Sequence, residues 1–317
     1  MFLRSLTAGT ILATMVAFGA HAQDDYPNQP IRVVVAFAAG GSTDIVTRTV
    51  ADKMSQMLGQ PIVIENRGGA DGNVAAEYGA DLPADGYNLI ATTNSITINL
   101  NLYQQTYHPV DDFDPIVQFG DGPNVIVVHP SVKAETMEEL VEISQENPLF
   151  FATTASGTWL ATELFKQSTG LKGDRVPFSG AGTAVPAVLG GEVDMMLTGV
   201  INVLPHIQSG GLRPIVVTSQ ERTDLLPDVP AISEFGLTEY NDAVWYGLIA
   251  PEGTPKPIID KLNAPAREAM KDPEVRAKLE ALSVVIKDES PEEFAELIDK
   301  DIARWEKLIK ETGAKLD

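Results

Sequence analysis

The stretch Phe37–Asp44, which reads Phe-Ala-Ala-Gly-Gly-Ser-Thr-Asp, carries the clearest chemical signal in this chain of 317 residues. It follows a β-branched run, Ile31–Phe37, and leads into an amphipathic segment, Thr43–Leu58. A strand that passes into a helix through small residues leaves backbone N–H groups free at the positive end of the helix dipole. The stretch therefore predicts an anion-binding loop, to which Ser42 and Thr43 add hydroxyl donors. The alternative is an ordinary helix N-cap at Ser42 or Thr43.

Three further turns follow predicted strands later in the sequence and combine small residues with hydroxyl groups: Thr153–Thr158, Ser179–Thr183 and Thr198-Gly199. Ligands of α/β folds bind at the carboxyl ends of strands, so we expect these turns to face the first loop across a cleft. Asp44 and Asp194 each have a second interpretation. Asp44 can stabilise the first turn of the helix, and Asp194 can accept hydrogen bonds from nearby backbone amides. The predicted ligand-binding residues are Phe37, Ala38, Ala39, Gly40, Gly41, Ser42, Asp44, Thr93, Thr154, Ser156, Thr158, Trp159, Ser179, Gly180, Ala181, Gly182, Thr183, Asp194 and Thr198.

The elements that must position these loops are strands and helices that alternate along almost the whole chain. This alternation predicts an α/β fold with mixed sheets and helices on both faces. Two apolar strands, Val125–His129 and Val244–Ala250, are interpreted as crossovers between two lobes. We expect residues 23–124 plus 244–317 to form one lobe and residues 125–243 to form a second, inserted lobe, with the ligand cleft between them.

Motifs for catalysis are missing from the sequence. There is no cysteine, no nucleotide-binding or serine-hydrolase motif, and no histidine or carboxylate spacing typical of a metal site. His108, His129 and His206 lie far apart and are interpreted as structural or surface residues. We therefore expect no enzyme, no cofactor and no metal. An exported hydrolase that uses Ser156 with His206 is the enzyme alternative, because members of a triad can be distant in sequence.

The amino-terminal residues predict export. Met1–Arg4 is positively charged, Leu6–Phe18 is mostly apolar, and Ala20-His-Ala22 is typical of a cleavage site, so residues 1–22 are interpreted as a signal peptide. The absence of cysteine excludes disulfides and lipid attachment at cysteine. We expect a periplasmic monomer without a lipid anchor.

The charge of the chain restricts its partners. The formal net charge is −21, which argues against nucleic acid and against anionic membrane surfaces. It also opposes long-range attraction of an anionic ligand. A carboxylate bound here must therefore be held by local dipoles and hydrogen-bond donors.

A series of motifs covers nearly the whole chain after the predicted signal peptide. They are Phe37–Asp44, Gly59–Arg67, Ala84–Tyr87, Val185–Asp194, Leu204–Ile207, Leu225–Pro230 and Trp245–Pro251. In this order they resemble the substrate-binding proteins of tripartite tricarboxylate transporters, also called the Bug family. The resemblance implies a two-lobed type II periplasmic-binding fold, or Venus flytrap. It also implies a small organic carboxylate as ligand and a membrane transporter of one large and one small subunit as partner.

The chain departs from the family pattern in its cleft residues. Ala36 and Ala38 stand where prolines are usual, Trp159 where histidine is common, and Ser179 where a basic residue is frequent. A polar Asp or Asn pair is also usual where Thr198-Gly199 stands. These departures favour a monocarboxylate, or an aromatic or apolar dicarboxylate, with Trp159 either beside the ligand or in the core.

Ligand binding is expected to close the lobes, with hinges near Gly122–Asn124 and Asn241–Ala243. Closure serves transport and sensing equally well. A periplasmic sensor that signals to a membrane kinase is therefore the functional alternative. If arginine clamps hold the ligand instead of neutral donors, Arg67 and Arg175 are the candidates.

Overall fold

The computed structural model of the protein describes residues 26–154, 156–178, 180–237 and 243–312, so the predicted signal peptide lies outside the described residues. The strands are β1 (Ile31–Val35), β2 (Ile62–Asn66), β3 (Asn88–Thr93), β4 (Phe113–Val128), β5 (Leu149–Thr153), β6 (Gly173–Pro177), β7 (Met195–Gly199), β8 (Arg213–Val217), β9 (Ala243–Pro251) and β10 (Val285–Ile286). The α-helices are α1 (Ser42–Leu58), α2 (Asn73–Ala80), α3 (Ser95–Ile98), α4 (Met137–Glu146), α5 (Ser156–Thr169), α6 (Ala181–Leu189), α7 (Val200–Gln208), α8 (Lys256–Lys271), α9 (Pro273–Ala281) and α10 (Pro291–Thr312).

The long strand β4 belongs to two groups of strands, which we call the first and second sheet halves. In the first half the order is β2-β1-β3-β9-β4, with β1 parallel to β2 and β3, and β9 antiparallel to β3 and β4. In the second half, β4 pairs antiparallel with β7 and β8, and β5 is parallel to β6 and β7. Strand β4 pairs with β9 up to Pro123 and with β7 from Asn124 onward.

Apolar side chains alternate between the two faces of each sheet half, and helices cover both faces. Val33 packs in a cluster with residues of α1 and α8, whereas Val34 packs with α2 on the opposite face. In the second half, Ile126 packs with α4 and α5, and Val127 packs with α6 and α7. This alternation is the consequence of the two-residue period of a strand, and it buries both faces as the continuous β-branched runs predict.

Most predicted elements are present, with ends shifted by a few residues. Helix α1 ends at Leu58, and Gly59 adopts the left-handed conformation with φ 67° that terminates a helix cheaply only at glycine. Two elements were not predicted from the sequence: the amino-terminal part of β4 and the short helix α3. Proline and glycine are unfavourable inside regular strands, and irregularities in the pairing of β4 with β9 accommodate Pro115 and Gly120.

Candidate functional site

A cleft of about 1270 Å³ lies at the carboxyl ends of six strands. Its walls are the segments that follow β1, β2 and β3 in the first sheet half and those that follow β5, β6 and β7 in the second. Strands that run the same way within one sheet end at the same edge, so the two sheet halves present their loops and helix N-termini to a common space. The two chain crossings, at Asn124 of β4 and at Val244 of β9, also line this cleft.

The first loop, Phe37–Thr43, forms one wall of the cleft. Gly40 has a φ of 78°, where a side chain would strain the backbone, and the N–H of Gly41 donates to the carbonyl of Ala38. The N-cap of α1 is Gly41, and no side chain caps this helix among the described residues. The alternative of a hydroxyl N-cap at Ser42 or Thr43 is therefore wrong. The first N–H groups of α1 are left without partners inside the helix.

Asp44 stabilises the first loop by hydrogen bonds and does not line the cleft. Its carboxylate accepts hydrogen bonds from the Gly40 N–H (2.9 Å), Arg48 Nε (2.9 Å) and Asn66 Nδ2 (2.9 Å). Burial acts to raise the pKa of Asp44, but the bonds from Arg48, Gly40 and Asn66 outweigh it and lower the pKa. Asn66 also donates to the carbonyl of Phe37 at 3.1 Å, which ties the loop to the end of β2.

Three helices whose first turns line the cleft begin with a glycine N-cap. The N-caps of α1, α6 and α7 are Gly41, Gly180 and Gly199, and none makes a side-chain cap within the described residues. By contrast, Thr136 and Asp272 cap α4 and α9 with their side chains, and neither lines the cleft. A side-chain cap would occupy N–H groups that an anion can otherwise use. Among the described residues, the N-termini of α1, α6 and α7 thus present N–H groups to the cleft that no N-cap side chain occupies, and they come from both sheet halves.

Among the residues that the structure describes, few acidic or basic side chains line the cleft wall: Asp71, Arg175 and His206. Arg175 is exposed; its Nε donates to Thr153 Oγ1 at 3.1 Å, and its guanidinium lies 4.8 Å from the centre of the Trp159 ring. Arg67, the other candidate clamp, is not in the wall. It pairs with Glu65 at 2.7 Å.

Two tyrosines and Asp71 are residues of the cleft that sequence reasoning missed. Burial raises the pKa of Tyr103, and the nearby Asp71 charge raises it further while Arg175 opposes this. Burial also raises the pKa of Tyr246, with the Ser42 hydroxyl opposing. Burial raises the pKa of Asp71 against hydrogen bonds from Ser156 and the charge of Arg175. The glycine-rich loop after β2 was the signal that could have drawn attention to Asp71.

Fourteen of the predicted ligand-binding residues line the cleft. They are Phe37, Ala38, Ala39, Gly40, Gly41, Ser42, Thr93, Thr154, Ser156, Thr158, Gly180, Ala181, Gly182 and Thr198. Ser179 lies outside the described residues. The structure thus brings together turns that are distant in sequence, as the parallel strand ends predict.

Asp44, described above, and three other predicted residues do not line the cleft. Asp194 precedes β7 at the opposite end of the strand from the cleft, and its carboxylate accepts from the Phe150 N–H at 2.8 Å. Trp159 is buried in a cluster with Ile98, Leu160 and Trp305. The hydroxyl of Thr183 donates to the carbonyl of its own helix N-cap at 2.9 Å. These four side chains lie outside the cleft wall, and the ligand contacts of the predicted residues stay predictions.

The first predicted hinge coincides with the point where β4 changes its pairing partner from β9 to β7, and hinge motion there stays a prediction. Gly122–Asn124 lies inside the continuous strand β4. Asn241 and Asp242 lie outside the described residues, and Ala243 is the first residue of β9.

The enzyme alternative lacks its geometry. Among the described residues, the Ser156 hydroxyl donates to Asn99 Oδ1 at 2.8 Å and makes no hydrogen bond to His206, its proposed partner in a triad. His108 and His129 contact Asp111 and Ser131, whereas His206 lines the cleft. Over the described ranges, no group of histidine and carboxylate side chains is arranged to hold a metal ion. No helix in those ranges is both long and apolar enough to cross a bilayer.

Comparison with known proteins decides the family. The sequence profile of the "Tripartite tricarboxylate transporter family receptor" matches residues 46–314. The chain belongs to this family. The resemblance drawn from the motifs is thereby confirmed.

The relatives described next each match more than nine-tenths of the chain. It is 34% identical over 315 residues to protein BugT of Bordetella pertussis, and this alignment covers 97% of each chain. The structure of the periplasmic binding protein BugD superposes with a TM-score of 0.86 at 30% identity, covering 92% of this chain and 100% of BugD. The structure of Rpa4515 of R. palustris with adipate superposes with a TM-score of 0.88 at 33% identity, covering 92% and 100%. These likenesses confirm the two-lobed periplasmic-binding fold, and this family receptor is a periplasmic solute-binding protein, not an enzyme.

Proposed function

We propose that this receptor captures a small organic carboxylate between its sheet halves and delivers it to a membrane transporter of one large and one small subunit. The observation that carries the proposal is the convergence of uncapped helix N-termini from both sheet halves on one cleft. The adipate-bound relative supports a carboxylate as the ligand class.

Neutral hydrogen-bond donors account for the affinity for a carboxylate that the proposal requires. Each helix N-terminus contributes about 0.3–1 kcal/mol toward an anion, and up to about 2 kcal/mol when partly buried. Hydrogen bonds to a charged group contribute about 1.5–3 kcal/mol each. A few such donors suffice for binding, even though the net charge of −21 opposes the approach of an anion.

The proposed contacts to the ligand come from two lobes, which move relative to each other on binding. We assign the lobes to residues 23–124 plus 244–317 and to residues 125–243, because β4 changes its pairing partner between Pro123 and Asn124. The first loop would bind the carboxylate from one lobe, and the turns after β5, β6 and β7 from the other. A ligand that bridges both parts binds the closed form better and therefore shifts the protein toward it.

Four measurements test this proposal. Native mass spectrometry of freshly purified protein should reveal a co-purified organic acid, and titration calorimetry with a carboxylate panel should identify ligands. Small-angle scattering should then show compaction with a verified ligand. Uptake into vesicles that contain the two transporter subunits should require the loaded receptor. Failure of every carboxylate to bind contradicts capture, and binding without uptake, together with retention of a sensor kinase by the loaded receptor, favours sensing.

A further inference from the structure

We infer that Asp71 selects ligands that carry a hydroxyl or ammonium group besides their carboxylate, over ligands that carry a second carboxylate. This inference rests on the proposed function, because it concerns the second polar group of the same ligand. Asp71 lies in the cleft wall, but outside the first loop and outside the turns after β5, β6 and β7 that the proposed function assigns to the carboxylate.

Asp71 is held in place by its backbone. It lies in the single-turn segment Ala70–Gly72 between β2 and α2, with a φ of 58°, a left-handed conformation that few residue types other than glycine adopt. The carbonyl of Asp71 accepts from Asn99 Nδ2 at 3.0 Å, which fixes this turn against the neighbouring segment. The side chain is thereby presented to the cleft from a rigid support.

The Asp71 carboxylate is only partly satisfied. Within the described residues, its hydrogen bonds come from Ser156 alone, the first residue of α5 in the second sheet half. An ionised carboxylate has about four acceptor positions, so capacity remains toward the cleft. Burial raises the pKa of Asp71, because its buried surroundings solvate the charge less well than water does. A donor on the ligand would supply the missing stabilisation.

The charges around Asp71 decide against a second carboxylate. Arg175 is the cation that acts on Asp71, but it is exposed, donates to Thr153 and lies over the Trp159 ring. Tyr103 is close enough for the Asp71 charge to raise its pKa, and its hydroxyl is neutral at physiological pH. A second carboxylate beside Asp71 would place two like charges in a partly desolvated site, which is unfavourable. A hydroxyl or an ammonium group would instead donate to it.

A matched ligand series tests the inference. Straight-chain carboxylates of graded length, each ending in a methyl, hydroxyl, ammonium or second carboxylate group, are titrated into the wild-type protein, Asp71→Asn and Asp174→Asn. Asparagine tolerates the left-handed conformation and keeps an acceptor for the Ser156 N–H. Asp174 is exposed, does not line the cleft, and its replacement by asparagine removes the same charge.

The wild-type protein and Asp174→Asn should prefer the hydroxyl or ammonium ending over the second carboxylate by about tenfold or more at equal length. Asp71→Asn should reduce this preference to less than about threefold. The stronger of the two favoured endings shows whether the natural partner group is neutral or cationic. An unchanged preference, or an equal loss for all endings, would overturn the inference and leave the proposed function intact. Failure of the whole series, together with failure of a broad carboxylate panel, would overturn the proposed function and the inference with it.

Discussion

The Asp44 carboxylate accepts a hydrogen bond from the Gly40 N–H, four residues earlier in the chain, at 2.9 Å. This bond closes the first loop on itself and uses an N–H group that would otherwise be available to a ligand. Two side chains, Arg48 and Asn66, hold the same carboxylate from the other side. Asp44 therefore shapes the wall of the cleft without lining it.

Asp44→Ala should loosen the first loop. Removal of this buried carboxylate leaves three hydrogen-bond donors without their acceptor. We expect it to lower the free energy of unfolding by about 1–3 kcal/mol and carboxylate affinity by about tenfold. Urea unfolding and calorimetry measure the two effects. Asp52→Ala, on an exposed position of the same helix, is the matched control and should change neither quantity. Unaltered affinity in Asp44→Ala would show that the loop does not depend on this carboxylate.

Asp44 should also make stability depend on pH in acid. Because the folded-state pKa is below the ordinary value of 3.8, the folded protein favours the ionised form. Its stabilising contribution is complete above that ordinary value and is lost as the pH falls through the folded-state pKa. The stability advantage of the wild-type protein over Asp44→Asn should therefore be constant near neutrality and shrink in acid. An advantage that grew on acidification would contradict the lowered pKa.

Gly182→Leu should separate binding from stability. Gly182 lies in the first turn of α6 at the cleft wall, and a Cβ atom there would have no heavy atom within 4 Å. Replacing a helical glycine with leucine favours the helix by about 0.5–1 kcal/mol, so the melting temperature should hold or rise. The side chain would project into the cleft, and carboxylate affinity should fall about tenfold or more. Retained affinity would place the ligand elsewhere.

Carboxylate affinity should depend only mildly on salt. Arg67 pairs with Glu65 outside the cleft, and Arg175 is exposed and engaged with Thr153. Neutral donors near a bound anion are screened little, so affinity should change less than about threefold between low and physiological ionic strength. Titrations of the wild-type protein and Arg175→Gln at several salt concentrations measure this. A steep salt dependence that Arg175→Gln abolishes would identify an arginine clamp.

Trp159 should matter for stability more than for binding. Its ring is buried with Ile98, Leu160 and Trp305 and does not line the cleft. Trp159→Ala should lower the free energy of unfolding by about 3–5 kcal/mol, as expected for a large side chain removed from a core. Trp159→Phe should retain most of the stability and bind carboxylates within about twofold of the wild-type protein. Lost affinity in Trp159→Phe with intact stability would place the ring beside the ligand.

The strand–turn–helix units could be predicted from the amino-acid sequence, because strand and helix periodicity and small-residue turns are local properties of the chain. The pattern located the first loop, and the carboxyl-end rule indicated that it faces the turns after β5, β6 and β7. The amino-terminal part of β4 could not be predicted in this way. Its proline and glycine residues are tolerated through irregular pairing with β9, a partner that is distant in sequence.

The amino-acid sequence by itself determined the family, the alternating α/β architecture and the small-residue turns that carry free N–H groups. Only the tertiary structure decided which side chains reach the cleft. Asp194 lies at the opposite end of its strand from Thr198, and Asp71 meets Ser156 across 85 positions of chain. Residue type and spacing specify what a group can bind. Strand direction and the packing of the two sheet halves specify what it faces, and those depend on contacts between distant segments.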